Sequence, residues 1–161
     1  MKPETFLTQI ETCYAVVKAN VGQITHDDSL VRPTPAGNNL NWVLGHLVTT
    51  RSHLLQGLGG EPVWNQAESR GYERHEPAIS LADAKPLAEI WKAYDESQRR
   101  IRSVVSELTP QRLAAKAPFS PGNDPEETIG SLLGVFAFHD AYHTGQTGVL
   151  RRVAGKPPAN L

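Results

Sequence analysis

Phe6, Ile10, Cys13, Val17, Asn20 and Ile24 follow one another at steps of four, three, four, three and four. That spacing lays a single stripe along an α-helix and predicts one over about 3–24. A second stripe, Leu40, Val43, Leu44, Leu47, Leu54, Leu55 and Leu58, predicts a helix over 39–58. Asn38 or Asn39 is available as its N-cap, and Gly59 with Gly60 as its stop. The third stripe runs Ala84, Leu87, Trp91, Tyr94, Gln98, Ile101, Val105, Leu108. It predicts a helix over 81–108, opening behind Ser80 and closing before Thr109 and Pro110. The fourth, over 126–154, has Pro125 and the acidic pair Glu126 and Glu127 at its positive end, and Gly155, Pro157 and Pro158 at its stop. Its stripe is Ile129, Leu132, Phe136, His139, His143, Gln146, Leu150 and Val153. No alternating strand pattern of useful length and no internal repeat is present.

Four amphipathic segments with near-heptad stripes predict an all-α fold, a four-helix bundle formed by one domain over 1–161. The connection between the second and third segments exceeds a dozen residues. A loop of that length in a compact domain is a lid or a crossover, and a crossover lets those two helices run parallel. Trp64, Tyr72 and His75 fall in it and are candidates to line a pocket mouth, with simple loop packing as the plainer alternative.

Composition narrows the function. The 161 residues carry a formal net charge of −1, so no strong positive field draws the chain to nucleic acid or to an anionic membrane. Arg99, Arg100 and Arg102 are flanked by Asp95, Glu96 and Glu107, the pattern of a solvated helix face. One cysteine, Cys13, excludes an intrachain disulfide framework and any multi-cysteine metal site, and fits a reducing, cytoplasmic setting. No apolar run approaches the ~18 residues of a membrane span, and the first residues lack the apolar core of a secretion signal. Six histidines in so cysteine-poor a chain raise the question of metal.

His139 and His143 stand four apart, so one helix face presents both rings to a single ion. Both occupy the inward stripe, where an unpaired polar group costs a few kcal/mol and therefore calls for a partner or a metal. His46 lies beside the stripe of the second helix and offers a third imidazole. His53, about 10 Å further along the same helix, is an alternative that cannot easily share an ion with His46. Three protein ligands leave coordination positions open for water or substrate. A zincin-type protease reads poorly, because Asp140 stands where H-E-x-x-H needs a glutamate. A di-iron carboxylate bundle requires E-x-x-H pairs, and no histidine here has a glutamate three residues before it. Cys13 could close a structural site but sits on a helix stripe, where a small buried hydrophobe is its usual role. Arg51, five positions after His46, is expected to be a surface cation.

The segments Asn41-Trp42-Val43-Leu44-Gly45-His46-Leu47 and His139-Asp140-Ala141-Tyr142-His143-Thr144-Gly145-Gln146, with the ending Leu150-Arg151-Arg152-Val153-Ala154-Gly155-Lys156-Pro157-Pro158, resemble the DinB-like (DinB/YfiT-like) metalloenzyme superfamily. The resemblance covers nearly the whole chain. It implies a four-helix bundle with a long crossover between the second and third helices. It also implies a divalent metal held by a histidine triad, which falls here on His46, His139 and His143. Better-known relatives are transferases and isomerases that use low-molecular-weight thiols, and many pair as homodimers.

Neutral imidazoles leave the ion its full charge, which suits activation of a thiol or a water for attack on a small electrophile, of S-transferase or hydrolase type. Zinc or nickel are the first expectations and iron a further one. Asp140, Tyr142, Gln146 and Asn41 are candidates for acid–base or positioning roles. The competing expectation is a non-catalytic helical dimer that binds a metal or a ligand, of a stress-related kind. Val16, Val135 and Phe138 lie off the main stripes and could mark a dimer face.

Overall fold

The computed structural model describes residues 1–35, 37–74 and 79–160, and His75 therefore lies outside the described residues. The described chain is helical, without a strand: α1 (Pro3–Val21), α2 (His26–Leu30), α3 (Leu40–Leu58), α4 (Gln66–Ser69), α5 (Leu87–Ser106), α6 (Pro110–Ala114) and α7 (Ile129–Val153). The four long helices are those the stripes predict. On α1 the buried set is Phe6, Ile10, Cys13, Val17 and Asn20, five of the six stripe positions. The Asn39 side chain accepts from the Trp42 N–H at 2.8 Å and starts α3; Gly59, at φ 86°, ends it in the left-handed conformation.

Helix ends differ from expectation for definite reasons. A helix begun at 81 would place Pro86 in its second turn, where the ring lacks an N–H and meets the preceding carbonyls. Instead Ser80 and Asp83 close a local turn, and α5 begins directly after Pro86. α7 starts three residues later than the prolines and acids suggest. Ala117 and Ile129 donate backbone N–H groups to Glu127 and Ala115, an extended pairing that holds 127–129 out of the helix. Thr128 and Ser131 then cap α7 reciprocally. Helix α2, unpredicted, carries its own capping box between Thr25 and Asp28.

Side-chain contacts give the direction of each long helix. Asn41 and Tyr72 bond Lys85 at one end of the α3–α5 pair, Arg51 reaches Ser97 and Gln98 in the middle, and Arg100 reaches the carbonyls of Glu61 and Pro62 at the other. These helices run parallel. So do α1 and α7, joined at Met1–Gly130 and at Asn20–Thr147. Glu11 paired with Arg102, and Tyr14 with Asp95, make α1 and α5 antiparallel. Each long helix packs against two others, in a ring α1–α7–α3–α5. The connection from 59 to 86 is thus a crossover, as its length suggests.

Two apolar clusters fill the ring. One gathers Val17, Leu40, Leu44, Leu47, Tyr72, Ile90, Tyr94 and Leu150. The other gathers Phe6, Ile10, Leu54, Leu55, Ile101, Leu132, Leu133 and Phe136. Between them along the helices lies a belt of buried polar side chains: Thr49, Arg51, Ser97, Gln98, Asp140 and Thr144. Arg51, expected at the surface, is its centre and only 1% exposed. Its Nη2 and Nε meet Asp140 Oδ2 at 2.5 and 3.0 Å, and Nη1 meets Gln98 Oε1 at 3.0 Å. Its guanidinium lies 4.1 Å from the centre of the Tyr94 ring. The expectation failed because Arg51 was placed relative to His46 alone. It stands four after Leu47 and three before Leu54, on the buried stripe itself.

A candidate metal centre

The site is assembled by three segments: α3 supplies His46, α7 supplies His139 and His143, and the crossover supplies Tyr72. Tyr72 lies in an irregular stretch yet is fully buried. Its hydroxyl donates to Asn41 Oδ1 at 3.0 Å and accepts from the Lys85 N–H at 2.9 Å. Its ring rests on the bare backbone of Gly45, where a Cβ would lie 2.2 Å from the ring's Cδ1. Its carbonyl receives the His46 Nδ1–H at 2.7 Å. Asn41, Gly45 and His46, one helical turn and one residue apart, therefore grip one tyrosine at three points.

That grip sets the chemistry of His46. A carbonyl only accepts, so Nδ1 carries the proton and Nε2 keeps its lone pair. Trp42 stacks on the same ring, with centroids 4.7 Å apart and planes inclined by 11°. On α7, His143 Nδ1 donates to Gln146 Oε1 at 2.7 Å, which likewise frees its Nε2. His139 Nε2 stands 3.2 Å from His46 Nε2. Its Nδ1 is buried without a hydrogen-bond partner among the described residues, so their contacts do not fix that side of the ring. One ligand nitrogen from each of the three imidazoles falls within 4.8 Å of the others.

The group fits a metal ion. Two nitrogens each ~2.0–2.1 Å from a tetrahedral zinc stand roughly 3.4 Å apart, close to the His46–His139 spacing. Metal ligation needs neutral rings, and the site favours them. Burial holds His46 down to about 4 and His139 down to about 3, with the neighbouring histidines and Arg74 adding to the effect; burial lowers His143 as well. Hydrogen bonds from Nδ1 to a carbonyl and an amide oxygen are the usual way in which ligating histidines are oriented.

His46, His139 and His143 are thus brought together, whereas His53 lies apart and pairs with Glu73 at 3.3 Å. Cys13 is buried on α1 and outside the group. Asp140 faces Arg51 rather than the triad. Tyr142 is exposed and meets His143 edge-on at 5.0 Å between centroids. Gln146 touches the site through His143, and Asn41 through Tyr72. Trp64 and Tyr72 pack into the core rather than around an opening. Sequence reasoning missed Tyr72 as the partner of His46 and Gly45 as its seat. The glycine directly before a histidine inside a leucine-rich helix was the available signal.

Beside the triad opens a cavity of about 280 Å³, lined by His46 and His139 and by residues of α3, α7 and the crossover. A helical ring with a crossed long connection and three converging histidines at the edge of a cavity defines a class of helical proteins whose site could hold a metal ion. The family model of the DinB superfamily matches residues 9–147, and the chain belongs to that superfamily. Its fold is similar to that of a solved structure, a conserved protein from Enterococcus faecalis, with a TM-score of 0.76 and 16% identity over 97% of this chain and 99% of that one. No curated protein matches the chain. Among the described residues no helix is long and apolar enough to cross a membrane.

Proposed function

We propose that the protein is a metal-dependent enzyme in which His46, His139 and His143 hold a divalent ion, zinc or nickel before iron, and that it activates a low-molecular-weight thiol or water for attack on a small electrophile. The observation that carries this reading is the convergence of three neutral imidazoles beside a cavity, with no fourth histidine, cysteine or carboxylate in the group among the described residues. A structural zinc site is closed by four protein ligands; a catalytic one keeps a position open. A bound divalent ion supplies Lewis acidity and lowers the pKa of a water or thiol at neutral pH.

The chain's own residues orient and enclose. Tyr72 and Gln146 hold two rings with Nε2 free. Phe119, Val135 and Phe136 supply apolar walls to the cavity. Asp140, Tyr142 and Gln146 do not line it. In this reading Gln146 positions His143, Asp140 anchors Arg51 beneath the triad, and Tyr142 covers the outer edge of His143. A cytoplasmic setting suits a chain whose one cysteine is a buried free thiol.

Metal analysis of gently purified protein tests the reading, with His139→Ala alongside. One equivalent of metal in the wild type, and its loss in the variant, is the expected result. The absence of stoichiometric metal after resupply would end it. Turnover of electrophiles with thiols and with water then separates transferase from hydrolase, and no turnover with either favours a non-catalytic metal-binding protein. A homodimer is part of the proposal, supported by Val135, Phe138, Tyr142 and Val149, which leave α7 with an exposed apolar face. Elution at the 17.6 kDa of a single chain would count against it.

A further inference from the structure

The cavity beside the triad is chemically two-sided. α7 and the segment before it contribute Phe119, Val135 and Phe136; α3 and the crossover contribute His53, Glu73 and Arg74. Its volume, about 280 Å³, is just below the usual range of ligand pockets, ~300–1,000 Å³, and limits it to a small molecule. The two charged side chains on the polar side are not engaged alike. Glu73 is engaged by His53 at 3.3 Å. Arg74 is exposed and makes no ion pair among the described residues, and its charge acts on both His46 and His139. With a divalent ion held by three neutral rings, the cavity is net positive even with Glu73 counted.

We propose that this cavity takes a small carboxylate with an apolar body, its carboxylate paired with Arg74, its body against Phe119, Val135 and Phe136, and its reactive end toward the triad. The proposal rests on the metal-site reading for the last clause and for the cavity's net charge; the pairing with Arg74 stands without it. A guanidinium offers a planar pair of N–H donors that matches a carboxylate, and such charge-assisted pairs gain strength beside low-dielectric walls. A neutral molecule of the same shape leaves Arg74 without its partner. Arg74 is then a specificity-determining residue, and it acts on substrate choice rather than on metal uptake.

The probes are 3-phenylpropionate and its neutral analogue 3-phenylpropanamide, titrated calorimetrically into zinc-loaded and metal-free protein. Wild type is expected to bind the carboxylate at least ten-fold more tightly than the amide, in line with the worth of a charged hydrogen bond. Arg74→Gln should abolish that preference with zinc content unchanged, and Arg74→Lys should restore part of it. A carboxylate can also bind an ion directly. Preference retained in full by Arg74→Gln would therefore assign it to the metal and overturn the proposal, as would equal binding of acid and amide by wild type. Metal-free protein keeps the two readings separable. An Arg74-dependent preference there supports the anion site even if zinc uptake fails, whereas failed uptake alone defeats only the metal centre.

Discussion

Gly45→Ala adds one carbon in a helix, a change that by helix propensity alone should stabilise the chain by up to ~1 kcal/mol. The structure requires the opposite. The new Cβ would stand 2.2 Å from Cδ1 and 2.4 Å from Cε1 of Tyr72. Carbon–carbon contact is comfortable near ~3.5 Å, so the ring must retreat by more than about 1 Å. It has nowhere to go: it is fully buried, and its hydroxyl is held by Asn41 and Lys85. Overpacking of this kind costs ~1–3 kcal/mol. The displaced residue also carries the carbonyl that receives the His46 Nδ1–H, so His46 loses the contact that fixes its proton and its aim. Loss of such a contact to a ligating histidine lowers metal affinity by about 10–100-fold. Urea denaturation of chelator-treated protein measures the first effect, and competition with a chromophoric chelator for zinc measures the second. Gly134→Ala is the control, since nothing approaches a Cβ there within 4 Å; it should keep zinc affinity and stability or gain slightly. Zinc affinity within two-fold of wild type in Gly45→Ala would refute the argument that Tyr72 governs His46.

Other expectations follow from the same contacts. Gln146→Ala should weaken zinc binding by roughly ten-fold, through His143, while leaving its stoichiometry at one; unchanged affinity would remove Gln146 from a positioning role. The metal-free protein should lose stability in mild acid. His46 and His139 titrate near 4 and 3 when folded but near 6.5 in an unfolded chain, so the unfolded state binds more protons below that value. Stability from these rings is full above about pH 6.5 and declines as pH falls toward 4 and 3, on the order of 1–2 kcal/mol per ring by pH 5. Urea midpoints at pH 7.5 and 5.0, compared between wild type and a His46→Gln/His139→Gln protein, test this; equal slopes would contradict it. Arg51→Ala should destabilise by about 3–5 kcal/mol, because Asp140 is left as a buried unpaired charge. A thermal melt barely changed from wild type would place Arg51 outside the core.

The long helices were legible because each buries one face over five or more turns, so packing and periodicity agree. The histidine pair on α7 was legible because ligands on one helix have a fixed spacing. His46 was a candidate third ligand from its place beside the stripe, and the likeness of its segment to a known family chose it over His53, since nothing local says which helix lies opposite. Arg51 was expected at the surface although it falls in the Leu47–Leu54 gap of the buried stripe; a charge on a stripe reads as an interruption until a partner is known. Tyr72 carries no periodic signal at all. Its position depends on where a long crossover returns to α3, which tertiary contacts decide. The start of α5 shows the reverse: Pro86 marks it locally, but Ser80 as a cap and Ala84 on the stripe carried the expectation back to 81.

The belt around Arg51 and Asp140 has a consequence for the alignment of α3 on α7. Apolar side chains tolerate sliding, since one leucine row resembles the next. Arg51 and Asp140 do not: a shift of one turn, ~5.4 Å, would leave each charge in an apolar layer. The same two helices carry His46 and the His139–His143 pair, whose nitrogens have to meet within a fraction of that distance. The ion pair thus acts as a registration mark for the metal centre, with Asp140 directly after His139 and Arg51 five residues after His46. Replacing both partners with apolar residues, as in Arg51→Met with Asp140→Leu, should leave the protein as stable as before or more so, yet loosen its hold on zinc, as helices free to slip would present the three rings in more than one alignment.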